Sequence, residues 1–167
     1  MIDPGQLARS FDAHAATLIL FARQWLERAA AEDVVQDVFV SLMAQHRLPP
    51  DNFKAWLFKA VRNAAISHAR SASRRINRET RRVAQQREWF ESWPEDLIDA
   101  SAAQLALESL APEQREVIVM RIWAQMTLAE IAQVTGEAMS TLFSRYRAGL
   151  CEIKRIMESS CQLKKRI

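Results

Sequence analysis

The residues of this chain best suited to chemistry are hydroxyl and guanidinium side chains that follow a glycine, Gly136, in the stretch TLAEIAQVTGEAMSTLFSRYRAGL. Gly136 permits a tight turn between a short predicted helix and a longer second one. Small hydroxyl groups near a helix start, followed by arginines, suit a helix that enters the major groove of DNA while its basic groups grip phosphate. The candidate reading residues are Ser140, Thr141, Ser144, Arg145 and Arg147. An ordinary helical hairpin has the same spacing, so spacing alone leaves both interpretations open.

The other side of the same helix is predicted to face a core. Apolar residues recur there every three or four positions, which is the period of one face of a helix. They are Met139, Leu142, Tyr146, Leu150, Ile153 and Met157. We expect all six to pack inward.

A second group of hydrogen-bond donors lies on a helix predicted from Phe53 into the seventies. Lys59, Arg62, Asn63 and Arg70 share one side of it. Such a basic, amide-bearing side suits phosphates and base edges, although a solvated surface would look similar. The opposite side is predicted to be buried and carries Phe53, Trp56, Leu57, Ala60, Val61, Ala64 and His68.

Catalytic constellations are not found in the sequence. No nucleophile and base pair, carboxylate dyad, metal-ligand spacing or phosphate-binding loop emerges, so we predict no enzyme activity, cofactor or metal. Cys151 and Cys161 would lie about 15 Å apart along one helix and could not pair there. Neither a signal peptide nor a membrane-length apolar run is present, and we expect a cytoplasmic protein.

The elements that position these residues are predicted to be helices throughout. Of the 167 residues, 49% are hydrophobic and 26% charged, and three glycines and five prolines leave little material for turns. The formal net charge is +3, which permits a polyanionic partner. Arginines cluster from Arg74 to Arg87, and residues Glu88 to Asp99 are acidic without a basic residue, which indicates a boundary between two small domains.

The first half begins with an apolar helical spacing over residues 6 to 28. A second helix is predicted to begin near Glu32 and Asp33, whose carboxylates suit the positive end of a helix dipole. Asp33, Gln36, Asp37 and Val40 share its outer side. A valine among acidic groups suits a protein-binding face. Pro49 and Pro50 end this helix, and Asp51 or Asn52 can cap the next.

Two long segments together resemble the extracytoplasmic-function (ECF) group of bacterial sigma factors. The segment that resembles the group's fourth conserved region is LESLAPEQREVIVMRIWAQMTLAEIAQVTGEAMSTLFSRYRAGLCEIKR. The segments that resemble its second region are AEDVVQDVFVSLMAQ and NFKAWLFKAVRNAAISHARSASRR. They occur in the family's order and cover most of the chain. The resemblance implies an all-α protein with a region 2-like domain at 1–78, a linker at 79–100 and a region 4-like helix-turn-helix domain at 101–167.

What the resemblance implies can be carried onto matching residues. Asp33, Gln36, Asp37 and Val40 would bind the beta-prime clamp of core RNA polymerase. Asn52, Phe53, Lys59, Arg62, Asn63, Arg70 and Arg74 would bind the minus-ten element of promoter DNA and melt it. Ser140, Thr141, Ser144, Arg145 and Arg147 would read the minus-thirty-five element, while the same domain binds the beta flap. Family members are commonly held inactive by an anti-sigma protein, and the free chain is expected to be a monomer.

Three positions depart from the family pattern. Ser140 stands where relatives usually keep glycine, so contacts to the minus-thirty-five element are expected to differ. Ser67 replaces a frequent aspartate, and the glycine usual before the second short helix is replaced around Gln125. Two other classes remain open from the residues themselves: a stand-alone helix-turn-helix regulator that binds DNA as a dimer, and a helical adaptor that binds another protein.

Overall fold

The computed structural model describes residues 4–45, 51–76 and 104–164, and all the regular structure in those ranges is helical. The first bundle contains α1 (Pro4–Ala22), α2 (Arg28–Gln45) and α3 (Phe53–Ile76). The second contains α4 (104–109), α5 (Pro112–Ile122), α6 (Leu128–Thr135) and α7 (Met139–Lys164). The prediction of an all-α fold is confirmed. The predicted linker, 79–100, and Pro49 and Pro50 lie outside the described residues.

The first bundle is held together by aromatic and aliphatic side chains from its three helices. The rings of Phe21 in α1 and Phe58 in α3 are fully buried, with centroids 5.2 Å apart. Phe11 and Phe39 join α1 to α2 in an edge-to-face contact at 5.0 Å. Each fully buried side chain of this size stabilises the fold by about 1.5 to 3 kcal/mol. Of the two residues predicted to cap α3, Asp51 and Asn52, it is Asn52 that does so, because its Oδ1 accepts a hydrogen bond from the Ala55 backbone N–H at 3.1 Å.

The helix-turn-helix of the second bundle is fixed by local caps. Thr127 and Glu130 form a capping box at the start of α6, with reciprocal side-chain to backbone hydrogen bonds. Gly136 ends α6 with a left-handed φ of 77°, which glycine adopts at little cost. The guanidinium of Arg115 in α5 donates to the Leu107, Glu108 and Leu110 carbonyls, so it satisfies acceptors at the end of α4.

Several predicted boundaries and orientations were wrong. The first helix ends at Ala22, so Trp25 and Leu26 lie in the following turn, and α2 begins at Arg28 rather than near Glu32. His68 is exposed. On α7, Leu142 is fully buried and Tyr146 and Ile153 are half-buried, but three residues expected to pack inward are exposed. These are Met139 at 54%, Leu150 at 37% and Met157 at 55%.

The two bundles pack against each other. α3 lies against α6, and α1 also contacts α5. The buried apolar residues of both bundles form one contiguous cluster, which runs from Leu7 to Leu142. The first bundle's donor-bearing helix therefore faces the helix-turn-helix domain.

Candidate polymerase and DNA interfaces

The outer face of α2 is a mixed acidic and apolar surface. Asp33, Gln36 and Asp37 are exposed, and Val40 is exposed to 62%. Their neighbours Val34, Val35, Val38 and Phe39 are buried against α1 and α3. The core therefore fixes the direction of this face, and an exposed valine beside carboxylates gives it both apolar and charged contacts to offer a partner protein.

The predicted minus-ten residues on α3 fall into two groups. Lys59, Asn63, Arg70 and Arg74 are exposed along one side of the helix. Arg74 Nε donates to the Arg70 carbonyl at 3.4 Å, which links these two residues. Arg74 is the last basic side chain of this exposed side among the described residues, and the side chains of Arg75 and Arg78 lie outside them.

Three donors at the start of α3 and along it are instead engaged by the second bundle. The guanidinium of Arg62 pairs with both carboxylate oxygens of Glu116 in α5. Its Nε donates a short hydrogen bond to Oε1, and its Nη2 donates to Oε2 at 3.3 Å. Asn52 Nδ2 donates to Glu130 at 3.4 Å. Lys54 Nζ donates to a backbone carbonyl just after α5, that of residue 124, by a short hydrogen bond. We call these three pairs the interdomain contacts.

The electrostatics of Glu130 follow from its two roles. The Thr127 backbone N–H, above all, lowers the pKa of the Glu130 carboxyl below its usual value. Hydrogen bonds from the Thr127 side chain and from Asn52 act in the same direction and outweigh partial burial, which raises the pKa. Glu130 is therefore held as a carboxylate, and it serves at once as a helix cap and as an acceptor for the first bundle.

A cleft of about 340 Å³ opens beside these contacts. The rings of Phe53 and Trp56 lie nearly parallel near it, with centroids 6.3 Å apart. Trp56, which the sequence predicts to be buried, is half-buried: it packs against the core and also lines the cleft. The lining combines a ring with amide, carboxylate and ammonium groups, from Asp51, Asn52, Ala55, Trp56, Lys59 and Gln133.

The second helix of the helix-turn-helix exposes most of its predicted reading residues. Ser140, Ser144 and Arg147 are exposed, whereas Thr141 and Arg145 are half-buried. The Ser144 hydroxyl donates to the Ser140 carbonyl at 3.0 Å. The Arg145 guanidinium forms an ion pair with Glu137, the residue that follows Gly136, and its Nη1 lies 3.4 Å from the carboxylate Oε1.

Two family models match this chain in the predicted order. Sigma-70 region 2 matches residues 11–75, and Sigma-70 region 4 matches residues 101–150. The ECF RNA polymerase sigma factor SigL of Mycobacterium tuberculosis is 32% identical over 142 residues, which cover 81% of this chain and 79% of SigL. The chain belongs to the ECF group of RNA polymerase sigma factors.

Other relatives of this ECF chain agree in family or in fold. BldN of Streptomyces coelicolor is 30% identical over 131 residues, and the match spans 72% of this chain but only 48% of BldN. RpoE in complex with the anti-sigma factor NepR, from Bartonella quintana, shares the fold with a TM-score of 0.72 at 23% identity, over 90% of this chain and 96% of RpoE. CnrH in complex with the cytosolic domain of CnrY has a TM-score of 0.66 at 21% identity, over 94% and 90% of the two chains. These matches do not favour the stand-alone regulator.

Two residues of this ECF chain at the candidate interfaces were not predicted from the sequence. Lys54 contacts the second bundle. It lies in the first turn of α3, where the helix dipole disfavours a basic group, and this unfavourable position was the signal in the sequence for a specific contact. Phe143 is exposed to 49% on α7 beside the reading residues. Its signal was an aromatic residue placed between the two serines of the predicted outer face.

Over residues 4–45, 51–76 and 104–164, no three His, Cys, Asp or Glu side chains come together in a way that could hold a metal ion. None of the helices in those ranges combines the length and the apolar character that crossing a lipid bilayer requires.

Proposed function

We propose that this chain binds core RNA polymerase and directs it to specific promoters, melting the minus-ten element and reading the minus-thirty-five element. The observation that carries the proposal is the pairing, in one ECF chain, of a donor-bearing α3 with a helix-turn-helix whose second helix exposes Ser140 and Arg147. The chain itself performs no bond chemistry, which belongs to the polymerase. Residues 1–78 would form the region 2-like domain, 79–100 the linker, and 101–167 the region 4-like domain.

The α2 face is the proposed site for the beta-prime clamp. Asp33, Gln36, Asp37 and Val40 project from a helix whose other side is anchored in the core, so docking needs no rearrangement there. Exposed carboxylates attract a basic partner, and the apolar Val40 adds area that can be buried on contact. The region 4-like domain would bind the beta flap, and the complex would act in the cytoplasm.

The minus-ten element is proposed to bind along α3 and in the adjoining cleft. Lys59, Arg70 and Arg74 would neutralise phosphates, Asn63 would pair with a base edge, and Phe53 would help to hold an extruded base. Asn52 and Arg62 belong to this set as well, but both are engaged by the interdomain contacts. Promoter melting therefore requires the two domains to separate, and the polymerase would supply the surfaces that hold them apart.

The free chain is proposed to be a monomer that binds promoter DNA weakly. Opening a duplex costs a few kcal/mol for each extruded base, which a chain of this size offsets only with contacts made through the polymerase. An anti-sigma protein is a further proposed partner. RpoE and CnrH, whose fold this chain shares, were each solved in complex with another protein, for RpoE the anti-sigma factor NepR.

The test is co-purification with core polymerase followed by run-off transcription. The double reversal Asp33→Lys and Asp37→Lys should abolish co-purification without unfolding the chain, because both side chains are exposed. Asp12→Lys reverses one charge of the same kind at an exposed position of α1 and should leave binding intact. Mapping the transcription start sites then yields the upstream elements. A chain that binds a palindrome as a stable dimer, and does not bind polymerase, would contradict the proposal.

A further inference from the structure

Phe143 is a large apolar side chain that the fold leaves at the surface. Its exposed fraction is 49%, and among the described phenylalanine, tyrosine and tryptophan residues it is the only one that is exposed rather than buried or half-buried. It lies within α7, where phenylalanine is a poorer helix former than lysine or arginine. Neither core packing nor helix propensity therefore accounts for a phenyl group at this position.

The position of Phe143 is that of the predicted reading residues. It lies three residues after Ser140 and four before Arg147, and helix residues three or four apart share a face. The Arg147 guanidinium carbon lies 5.9 Å from the centroid of the Phe143 ring, at cation–π distance. The guanidinium over one face of the ring restricts both side chains, so the surface offers a preordered apolar group beside a positive charge.

The polar groups around the ring are partly engaged within the chain. The Ser144 hydroxyl proton is used on the Ser140 carbonyl, and Arg145 is directed to Glu137. What remains at this level of the helix is chiefly the phenyl ring and the Arg147 charge. A DNA surface that complements this pair must present an apolar group next to a phosphate.

The major groove has one such apolar group, the C5-methyl of thymine, and phenylalanine is among the side chains that contact it. We propose that Phe143 determines specificity by contacting the methyl group of a thymine in the minus-thirty-five element, while Arg147 binds a neighbouring phosphate. The inference rests on the proposed function, because it needs α7 to lie in the major groove. It adds to that function the base and the atom that Phe143 recognises.

A protein-binding role for the ring makes a different prediction. Met139, Leu150 and Met157 are also exposed on α7, and Leu150 lies seven residues after Phe143, or about 10 Å along the axis. If these side chains formed one docking stripe for another protein, replacing Leu150 and replacing Phe143 should have similar effects on protein binding. Neither replacement should change how the complex responds to the chemistry of a thymine.

The experiment uses the full-length chain assembled with core polymerase on a promoter found by start-site mapping. Each thymine of the minus-thirty-five element is replaced singly by deoxyuridine, which removes only the methyl group. With the unaltered chain, one replacement should weaken promoter binding about fourfold, as expected for the loss of one buried methyl group. Phe143→Ala should weaken binding to the thymine promoter by at least as much and should abolish the response to that replacement.

Two matched variants complete the design. Phe143→Leu keeps an apolar group on the same face and should retain part of the response, whereas Leu150→Ala should retain all of it. Circular dichroism checks that each variant folds. The inference is overturned if no deoxyuridine replacement affects the unaltered chain, or if Phe143→Ala keeps the full response. If the unaltered chain directs no transcription with core polymerase, the proposed function itself fails.

Discussion

The ion pair between Arg62 and Glu116 offers the sharpest perturbation of the way the two domains are held together. Glu116→Gln keeps the shape of the side chain and removes its charge, and it leaves the proposed DNA-binding guanidinium of Arg62 in place. The two side chains are exposed to only 25% and 11%. Removing one partner of a fully buried pair costs about 3 to 5 kcal/mol, and of an exposed pair about 0 to 1 kcal/mol.

The partial exposure of Arg62 places this pair between those limits, so we expect a loss of about 2 kcal/mol in the free energy of domain docking. A loss of that size lowers the ratio of docked to separated molecules about thirtyfold. The other interdomain contacts and the shared apolar cluster remain, so the chain should stay folded. The freed Arg62 should then bind single-stranded DNA of the minus-ten non-template strand more tightly.

Resonance energy transfer between the domains measures docking directly. Cys151 on α7 is exposed and accepts one label, and Ala13→Cys on the exposed side of α1 accepts the other, in a Cys161→Ser background. Glu116→Gln should lower the transfer. The control, Glu152→Gln, removes the same charge from an Arg–Glu pair that lies within α7 alone, and it should leave the transfer unchanged.

The exchanged pair Arg62→Glu with Glu116→Arg tests whether the effect belongs to the interaction. It should recover part of the transfer lost in Glu116→Gln but none of the DNA binding, because the guanidinium then lies on the wrong domain. The reasoning would be refuted if Glu116→Gln left both transfer and single-strand affinity at their original values. It would also fail if the control variant opened the domains equally.

Three further predictions concern the second domain. Thr127→Ala removes the cap of α6 and should cost about 1 kcal/mol in the free energy of unfolding, measured by urea denaturation. The Thr127 backbone N–H, above all, and its hydroxyl lower the pKa of Glu130, so this carboxylate stabilises the fold above its ordinary pKa of 4.5, and the stability is lost as the pH falls through the lowered pKa. The variant keeps the backbone N–H and loses only the hydroxyl, so it should lose slightly less stability than the unaltered chain on acidification below the ordinary pKa. Gly149→Ala would place its Cβ 2.9 Å from Ile118 Cγ1. The cost of overpacking should exceed the gain in helix propensity, so the free energy of unfolding in urea should fall by about 1 kcal/mol net. Gln125→Gly should instead stabilise the chain by about 0.5 to 1 kcal/mol, since residue 125 has a left-handed φ of 51°, and a lower denaturation midpoint would contradict this.

Gln125 shows how a departure from the family pattern can be interpreted physically. The sequence showed only that the usual glycine before the short helix was missing. The structure shows that the backbone keeps the positive φ that glycine would serve, so the chain bears the strain rather than changing the turn. The family pattern therefore indicates a positive φ in this turn, whereas the strain at residue 125 is shown only by its backbone angle in the structure.

The apolar periodicity predicted the buried side of α3 well and that of α7 poorly, because α7 is longer than the two helices that pack against it. On α3 the inner side faces α1 and α2, and Leu57 and Val61 are fully buried as expected. α7 extends to Lys164, past the end of what α5 and α6 can cover, because those two helices have 11 and 8 residues. Its tight contact is at Gly149, which lies against Ile118, so the apolar residues on the adjacent side stay exposed.

The interdomain contacts could not have been predicted from one sequence. Their partners lie 54, 70 and 78 residues apart in the chain, and no local pattern connects them. What the sequence did identify was a set of donors on α3, together with its chemistry. A guanidinium or an amide is satisfied equally well by a phosphate, a base edge or a carboxylate, so the donors alone do not determine which acceptor they hold.

The acceptors that hold them here are a carboxylate pair and a backbone carbonyl, from Glu116, Glu130 and residue 124. Two of these three carry the negative charge that a phosphate would bring, so the second domain offers α3 an electrostatic substitute for nucleic acid. If α3 binds the minus-ten element, DNA and the second domain compete for the same side chains. Added salt should weaken both interactions, and the charge of Glu116 and Glu130 should set how readily the free chain engages DNA.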